Sequence, residues 1–137
     1  MATYNKFQQT VEDWLEGVYT ASTDQFTVAL CTNANIPVVT NSVLANLTEI
    51  SYTNLSSRNI TTSSSGQTTG TFTQLFTDLV LTASGAVATF RHVVVYNNTP
   101  TSPLDPLLCW YDYGSDLTLA SGETLTLDWT TSSFTVV

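Results

Sequence analysis

The first twenty residues have a helical pattern of apolar and polar positions. Asn5 can cap a first turn, with Gln8 three residues later as in a capping box. Gly17 and residues 22–24 favour an end to the helix. The pattern therefore predicts one amphipathic helix over residues 5–19. Its apolar side chains recur at spacings of three and four residues: Tyr4, Phe7, Val11, Trp14, Leu15 and Val18.

From residue 24 onward the pattern changes to the two-residue period of strands. Phe26, Val28 and Leu30 alternate with smaller or polar side chains, so successive residues point to opposite faces. The turn signal Ser121-Gly122 predicts a hairpin between the segments on either side. Short strands at this spacing are typical of a β-sandwich or a barrel, which predicts an all-β body over residues 24–137. Further strand-length segments are 71–83, 86–96, 107–113, 117–120, 123–129 and 134–137.

Residues 51–70 interrupt this series with a low-complexity stretch, SYTNLSSRNITTSSSGQTTG. Its small hydroxyl side chains offer little surface to bury, so we expect a long Ser/Thr-rich surface loop. Elsewhere, threonine suits the solvated face of a half-buried strand because it is both β-branched and polar.

Length and charge restrict the class of protein. The chain has 137 residues, which predicts a single domain over 1–137. Its formal net charge is −8, and its only cations are Lys6, Arg58 and Arg91. Three scattered cations do not form the basic surface that nucleic acid or an anionic membrane requires. No apolar run approaches the roughly 20 residues of a membrane span, and the N-terminus lacks a signal-peptide core, so we expect synthesis in the cytosol.

The sequence offers little chemistry for catalysis. The single histidine, His92, shares a strand face with Phe90, Val94 and Tyr96 by alternation, which favours a structural or interface role. No GxSxG elbow, phosphate-binding loop or metal-ligand pattern accompanies it. We therefore expect no enzyme activity, no cofactor and no metal. The carboxylates that could act as a catalytic pair or hold a cation are Asp78, Asp105, Asp112, Asp116, Glu123 and Asp128, several of them beside turns.

Two further groups of residues are the cysteines and an aromatic cluster, and only the second allows two interpretations. Cys31 and Cys109 form no CxxC pair and lie in apolar segments, so we expect reduced, mostly buried thiols. The aromatic cluster of Trp110, Tyr111 and Tyr113 either packs against neighbouring strands or forms an interface patch, because Tyr and Trp are enriched at contacts.

Three segments of the chain resemble a known group of proteins: the opening MATYNKFQQTVEDWLEGVY, the segment TVALCTN to VLANLTEI, and YNNTPTSPLDPLLCWYDYGSDLTLASGET. They are similar to small virion proteins of tailed bacteriophages, in particular the cement or head-decoration proteins of phage capsids. The resemblance implies a jelly-roll-like β-sandwich preceded by one N-terminal helix. Residues 51–70 depart from the group, since Ser, Thr and Asn stand where Gly-rich sequence is expected.

The resemblance also implies a function. We expect an accessory protein on the outer capsid surface of a virion, made in the bacterial host cytoplasm. It would bind the major capsid protein, stabilise contacts between capsid subunits, and self-associate, with a homodimer favoured. The alternatives are a tail or neck structural protein and a carbohydrate-binding module on the virion. The candidate contact residues are Tyr4, Phe7, Trp14, Trp110, Tyr111 and Tyr113.

Overall fold

The computed structural model describes residues 2–129 and 134–136 of the chain. It contains one α-helix, α1 (Gln9–Leu15), and a short 3₁₀ helix at Leu44–Asn46. The strands are β1 (Thr3–Lys6), β2 (Phe26–Cys31), β3 (Asn59–Ile60), β4 (Thr62–Thr68), β5 (Thr71–Phe76), β6 (Leu79–Thr82), β7 (Val87–Asn97), β8 (Leu107–Leu119), β9 (Thr124–Leu127) and β10 (Phe134–Val136).

These strands form antiparallel sheets that enclose a common core. The largest sheet has the order β1-β8-β7-β2-β3, and the smaller sheets are β10-β5-β4 and β6-β9. The main core includes Val28 and Val95 from the large sheet together with Phe76 and Leu81 from the smaller ones. The prediction of an all-β sandwich with one helix is confirmed.

The large sheet is covered on both faces. On the face away from the main core, a second cluster contains Ala29, Cys31, Val94 and Leu107. Phe7 closes this cluster from the segment between β1 and α1. All six residues of β2 are therefore buried, including the alternate positions that a sheet with one solvated face would expose.

The helix differs from its prediction in length and in phase. Residues 3–6 form strand β1, and α1 covers only seven of the predicted residues. Asn5 is therefore not the N-cap. Its side chain donates to the carbonyl of Thr3, while Gln8 occupies the N-cap position without a side-chain hydrogen bond. The predicted apolar face is also wrong, because Val11 and Leu15 are exposed and Thr10 is buried.

The start of β8 explains why the Thr10 side of α1 faces inward. Strand β1 pairs with β8 only from Cys109 onward, which leaves the carbonyls of Leu107 and Leu108 beyond its end. The hydroxyl of Thr10 lies within hydrogen-bonding distance of both carbonyls, at 3.0 and 2.8 Å, and Tyr19 Oη donates to Leu107 at 2.8 Å. Buried carbonyls require donors, so the polar side of the helix faces inward.

The surface loop predicted at 51–70 is wrong for its second half. Residues 59–60 and 62–68 are strands β3 and β4, and β4 pairs with β5 along its length. Backbone hydrogen bonding makes this strand possible without burial of its hydroxyl side chains, which remain largely exposed. Residues 51–58 are irregular except for a single bridge between Leu55 and Ala83.

The predicted hairpin around Ser121-Gly122 is also wrong in its pairing. The turn is present, with Gly122 at a φ of 87° that favours glycine. However, β9 pairs with β6 and not with the end of β8. Ala83 fixes this path, because its amide donates to the Glu123 carbonyl and its carbonyl accepts from Gly122.

Within the described ranges, no helix is long and apolar enough to cross a membrane.

Candidate interaction surface

The six predicted contact residues separate into core and surface. Phe7 and Trp110 are buried and pack against each other, with ring centroids 4.5 Å apart. Trp14 is partly buried against Tyr19. Phe7 and Trp110 therefore hold the second core cluster together and present no free surface.

The aromatic cluster in β8 does not form one surface. Trp110 belongs to the second core cluster, whereas Tyr111 packs on the main core from the opposite sheet face. Tyr4 stands edge-on to Tyr111 at 5.5 Å and is 46% exposed, and Tyr113 is 43% exposed. Of the predicted residues, Tyr4 and Tyr113 thus remain as the most exposed.

The most unusual exposed side chains lie on the outer face of α1, defined by Val11 and Leu15. They are 46% and 84% exposed, and their four-residue spacing places them on neighbouring turns of one side. Leu15 also lines a groove of about 440 Å³ between α1, residues 19–22 and the strands β4 and β5. Trp14 and Phe72 form part of its apolar wall, with ring centroids 5.8 Å apart.

A loop beside the helix adds further exposed apolar residues. Ile36, Val38 and Val39 are each about half exposed. The amide of Gln8 donates to the Val39 carbonyl at 2.9 Å, which fixes this loop against the start of α1. Exposed apolar side chains grouped in this way mark interaction sites more often than single scattered ones do.

A second concave region lies at the edge of the large sheet. It is a cleft of about 230 Å³ between the start of β1, the middle of β8 and the end of β9. Residues that line it include Ala2, Tyr111, Tyr113, Asp128 and Trp129. The ring of Tyr111 meets that of Trp129 edge-on at 5.6 Å.

Three of the six carboxylates that could have formed a catalytic pair or held a cation have structural partners. Asp112 accepts two hydrogen bonds from Arg91, at 2.7 and 3.1 Å, and one from the Gly114 amide. These bonds stabilise its charged form and lower the pKa of Asp112 to about 2. Asp78 accepts from the Trp129 amide, and Glu123 from Ala120. Among the described residues, no three His, Cys, Asp or Glu side chains are grouped to hold a metal ion.

His92 is 1% exposed, and neither ring nitrogen has a hydrogen-bond partner within the described ranges. Burial lowers its pKa, and the nearby charge of Asp112 opposes that shift. The predicted face is partly wrong, because a bulge between Phe90 and His92 shifts the alternation. Phe90 lies in the main core, while Val94 and Tyr96 lie in the second cluster.

Both cysteines are buried free thiols, as predicted. Burial raises the pKa of Cys31 to about 11 and that of Cys109 to about 12. Neither thiol is therefore poised to ionise near neutral pH, and both behave as small core side chains.

The two arginines are engaged within the chain. Arg91 is bound to Asp112, as described above. Arg58 lies 3.7 Å from the carboxylate of Glu49 and over the ring of Tyr52, 3.5 Å from its centroid. Lys6, exposed on β1, takes part in neither of the ion pairs found among the described residues.

In comparisons with protein-family models, curated proteins and solved structures, the chain matches none of them.

Sequence reasoning missed the surface that the structure exposes most. Leu15 and Val11 fit an inward apolar stripe by spacing, so the pattern gave no sign that they face outward. Thr10 was the residue that could have indicated the inward side of α1, because its hydroxyl can donate to a buried carbonyl. Spacing alone does not show which carbonyls need a donor.

Proposed function

We propose that the chain is a structural protein of a tailed-bacteriophage virion, a cement protein that binds the outer capsid surface and stabilises contacts between major capsid subunits. The observation that supports this most is the apolar outer face of α1, Val11 and Leu15, beside an apolar groove. Such a surface suits contact with another protein. The similarity of three sequence segments to head-decoration proteins supplies the kind of partner.

Charge supports the same proposal. With a net charge of −8, the protein is repelled by the packaged genome and attracted to basic surfaces of capsid subunits. A protein that binds only assembled subunits stabilises the shell by mass action, and many copies multiply a modest contact energy. This function requires no cofactor and no catalytic group.

Self-association completes the proposal, with a homodimer as the favoured state. A dimer presents two capsid-binding faces, so one molecule can bridge neighbouring capsid subunits. A tail or neck structural role remains the alternative, and the position of the chain in the virion separates the two.

A binding measurement tests the proposed contact face. Phage heads that lack the protein are mixed with purified protein, and the bound fraction is measured over a range of concentrations. Leu15→Ser is expected to weaken binding about tenfold or more, because burial of a leucine side chain contributes roughly 1.5–3 kcal/mol and 1.4 kcal/mol is a factor of ten. Since Leu15 is 84% exposed, its free energy of unfolding should stay within about 0.5 kcal/mol of the parent.

The matched control is Val80→Ser, at an exposed apolar position on β6. It should bind heads as the parent does. Equal binding by the parent and Leu15→Ser, or equal loss in both variants, would argue against α1 as the contact face.

A further inference from the structure

We propose that β1 pairs with β1 of a second copy of the chain, in antiparallel orientation about Tyr4, so that two five-stranded sheets join into one sheet of ten strands. The pairing defines the interface of the homodimer suggested above. It rests on that part of the proposed function and not on capsid binding.

The first argument is the open edge of the sheet. β1 stands at the end of the order β1-β8-β7-β2-β3, and in the described part of the chain only β8 pairs with it. The carbonyl of Thr3 accepts from the side-chain amide of Asn5 at 3.1 Å, a local substitute for a neighbouring strand. An edge of this kind is a template for pairing with another chain.

Charge favours a second copy of the chain as the partner of this edge. Two copies, each with a net charge of −8, repel each other, and a cation at their contact offsets part of that repulsion. Arg58 and Arg91 are held by carboxylates of their own chain. Lys6 is in neither pair and lies exposed on β1 itself. Among the described residues, the lysine or arginine that lies outside both ion pairs is therefore on the open edge.

The third argument is the register that follows. Pairing about Tyr4 places Thr3 opposite Asn5 of the second copy, and Ala2 opposite Lys6. The β1–β8 register, which pairs Thr3 with Asp112, continues to place Ala2 beside Tyr113. These two residues and Asp128 line the sheet-edge cleft.

Lys6 of the second copy therefore extends toward Asp128 across the new strand pair. Within one chain, Ala2 and Lys6 are four residues apart, about 13 Å along an extended strand, which favours the contact between copies. The two-fold relation repeats the ion pair on the other side.

Tyr4 adds an apolar contact at the centre of the pair. Its ring is half exposed and rests edge-on against Tyr111. In the proposed register it faces Tyr4 of the second copy, and aromatic pairs across antiparallel strands are favourable by roughly 0.2–1 kcal/mol relative to alanine.

The test uses purified full-length protein without phage heads, so its result is independent of capsid binding. Sedimentation velocity over a range of concentrations should show a dimer. Lys6→Glu and Asp128→Lys should each weaken dimerisation about tenfold or more, and the double variant should recover most of the loss. Glu16→Lys, which matches the charge change of Asp128→Lys at an exposed position outside this edge, should leave the dimer unchanged.

A lysine on an edge strand can instead keep such edges apart. Under that interpretation the parent is monomeric, or Lys6→Glu leaves association unchanged or strengthens it, and either result overturns the proposal. So does a double variant that recovers nothing.

Oxidative cross-linking checks the register separately. Tyr4→Cys should form an intermolecular disulfide, because directly opposed residues of an antiparallel pair lie within the 4.4–6.8 Å Cα separation that a disulfide spans. Asn5→Cys should not, since residue 5 faces residue 3 of the second copy. Equal cross-linking of the two variants would overturn the register. Both native cysteines are buried and provide no competing exposed thiol.

Discussion

His92 shows how one buried side chain can make stability depend on pH. Its imidazole is enclosed between strands, opposite Cys31 on β2 and Asp112 on β8. Burial lowers its pKa, the charges of Asp112 and Asp116 oppose the shift, and Arg91 reinforces it. The folded state therefore holds the neutral imidazole, while the unfolded chain takes up a proton near pH 6.5.

The direction of this pH dependence follows from the number of protons that the folded and unfolded states bind. Because the unfolded state binds more protons than the folded state below about pH 6.5, the free energy of unfolding falls as pH decreases from 7 to 5. We expect His92→Leu to reduce this slope, measured by urea unfolding at several pH values.

Asp112→Asn serves as the comparison, because Asp112 affects the free energy of unfolding in a different pH range. The pKa of Asp112 is lowered to about 2, so its contribution is present above about pH 4 and is lost as pH falls toward 2. Asp112→Asn should therefore retain the slope between pH 7 and 5 or make it steeper, because the Asp112 charge opposes the lowering of the His92 pKa. An unchanged slope in His92→Leu would contradict the role given to His92.

Single-residue features were predictable where they depend on composition. The burial of Cys31 and Cys109 follows from their apolar surroundings and agrees with the structure. The locations of Phe7 and Trp110 could not be predicted, because an aromatic residue has the same pattern whether it fills a core or an interface. Their contact depends on the face of the large sheet that α1 and its preceding segment cover.

At the level of elements, α1 shows why an apolar period can give the wrong face. A prediction from the apolar period assumes that burial of apolar surface decides which side of a helix packs against the sheet. Here the ends of neighbouring strands leave carbonyls of β8 that need donors, and Thr10 and Tyr19 supply them. The cost of leaving a buried carbonyl unpaired, about 1–3 kcal/mol, competes with the burial of one exposed valine or leucine.

This explanation predicts the effect of removing the hydroxyl. Thr10→Val has nearly the same shape and should lower the free energy of unfolding by about 1–3 kcal/mol, because the Leu108 carbonyl loses the Thr10 hydroxyl while the Leu107 carbonyl keeps Tyr19 as a donor. Thr10→Ser retains the hydroxyl and should lose less. Urea unfolding at pH 7 measures both; a Thr10→Val variant as stable as the parent would show that the helix does not dock through this bond.

Strand positions were more predictable than strand partners. The two-residue period located β2, β7 and most of β8 because it reports the alternation of faces. It contains no information on pairing, so β9 was assigned to the wrong neighbour. Strand β4 was missed because its Ser and Thr side chains bury little, although its backbone pairs with β5 from Ser64 to Thr68 and again at Thr62.

For the whole molecule, the two proposed contacts use different elements. The outer face of α1 and its groove offer apolar contact, while the edge of β1 holds the exposed lysine. The first suits the proposed capsid contact and the second the proposed dimer.

A reconstruction of the virion by electron cryomicroscopy shows whether this protein binds the outer capsid surface. The account predicts density for this chain on the outer capsid surface, between major capsid subunits, with Val11 and Leu15 facing the shell. Density for the chain only at the tail or neck would contradict it.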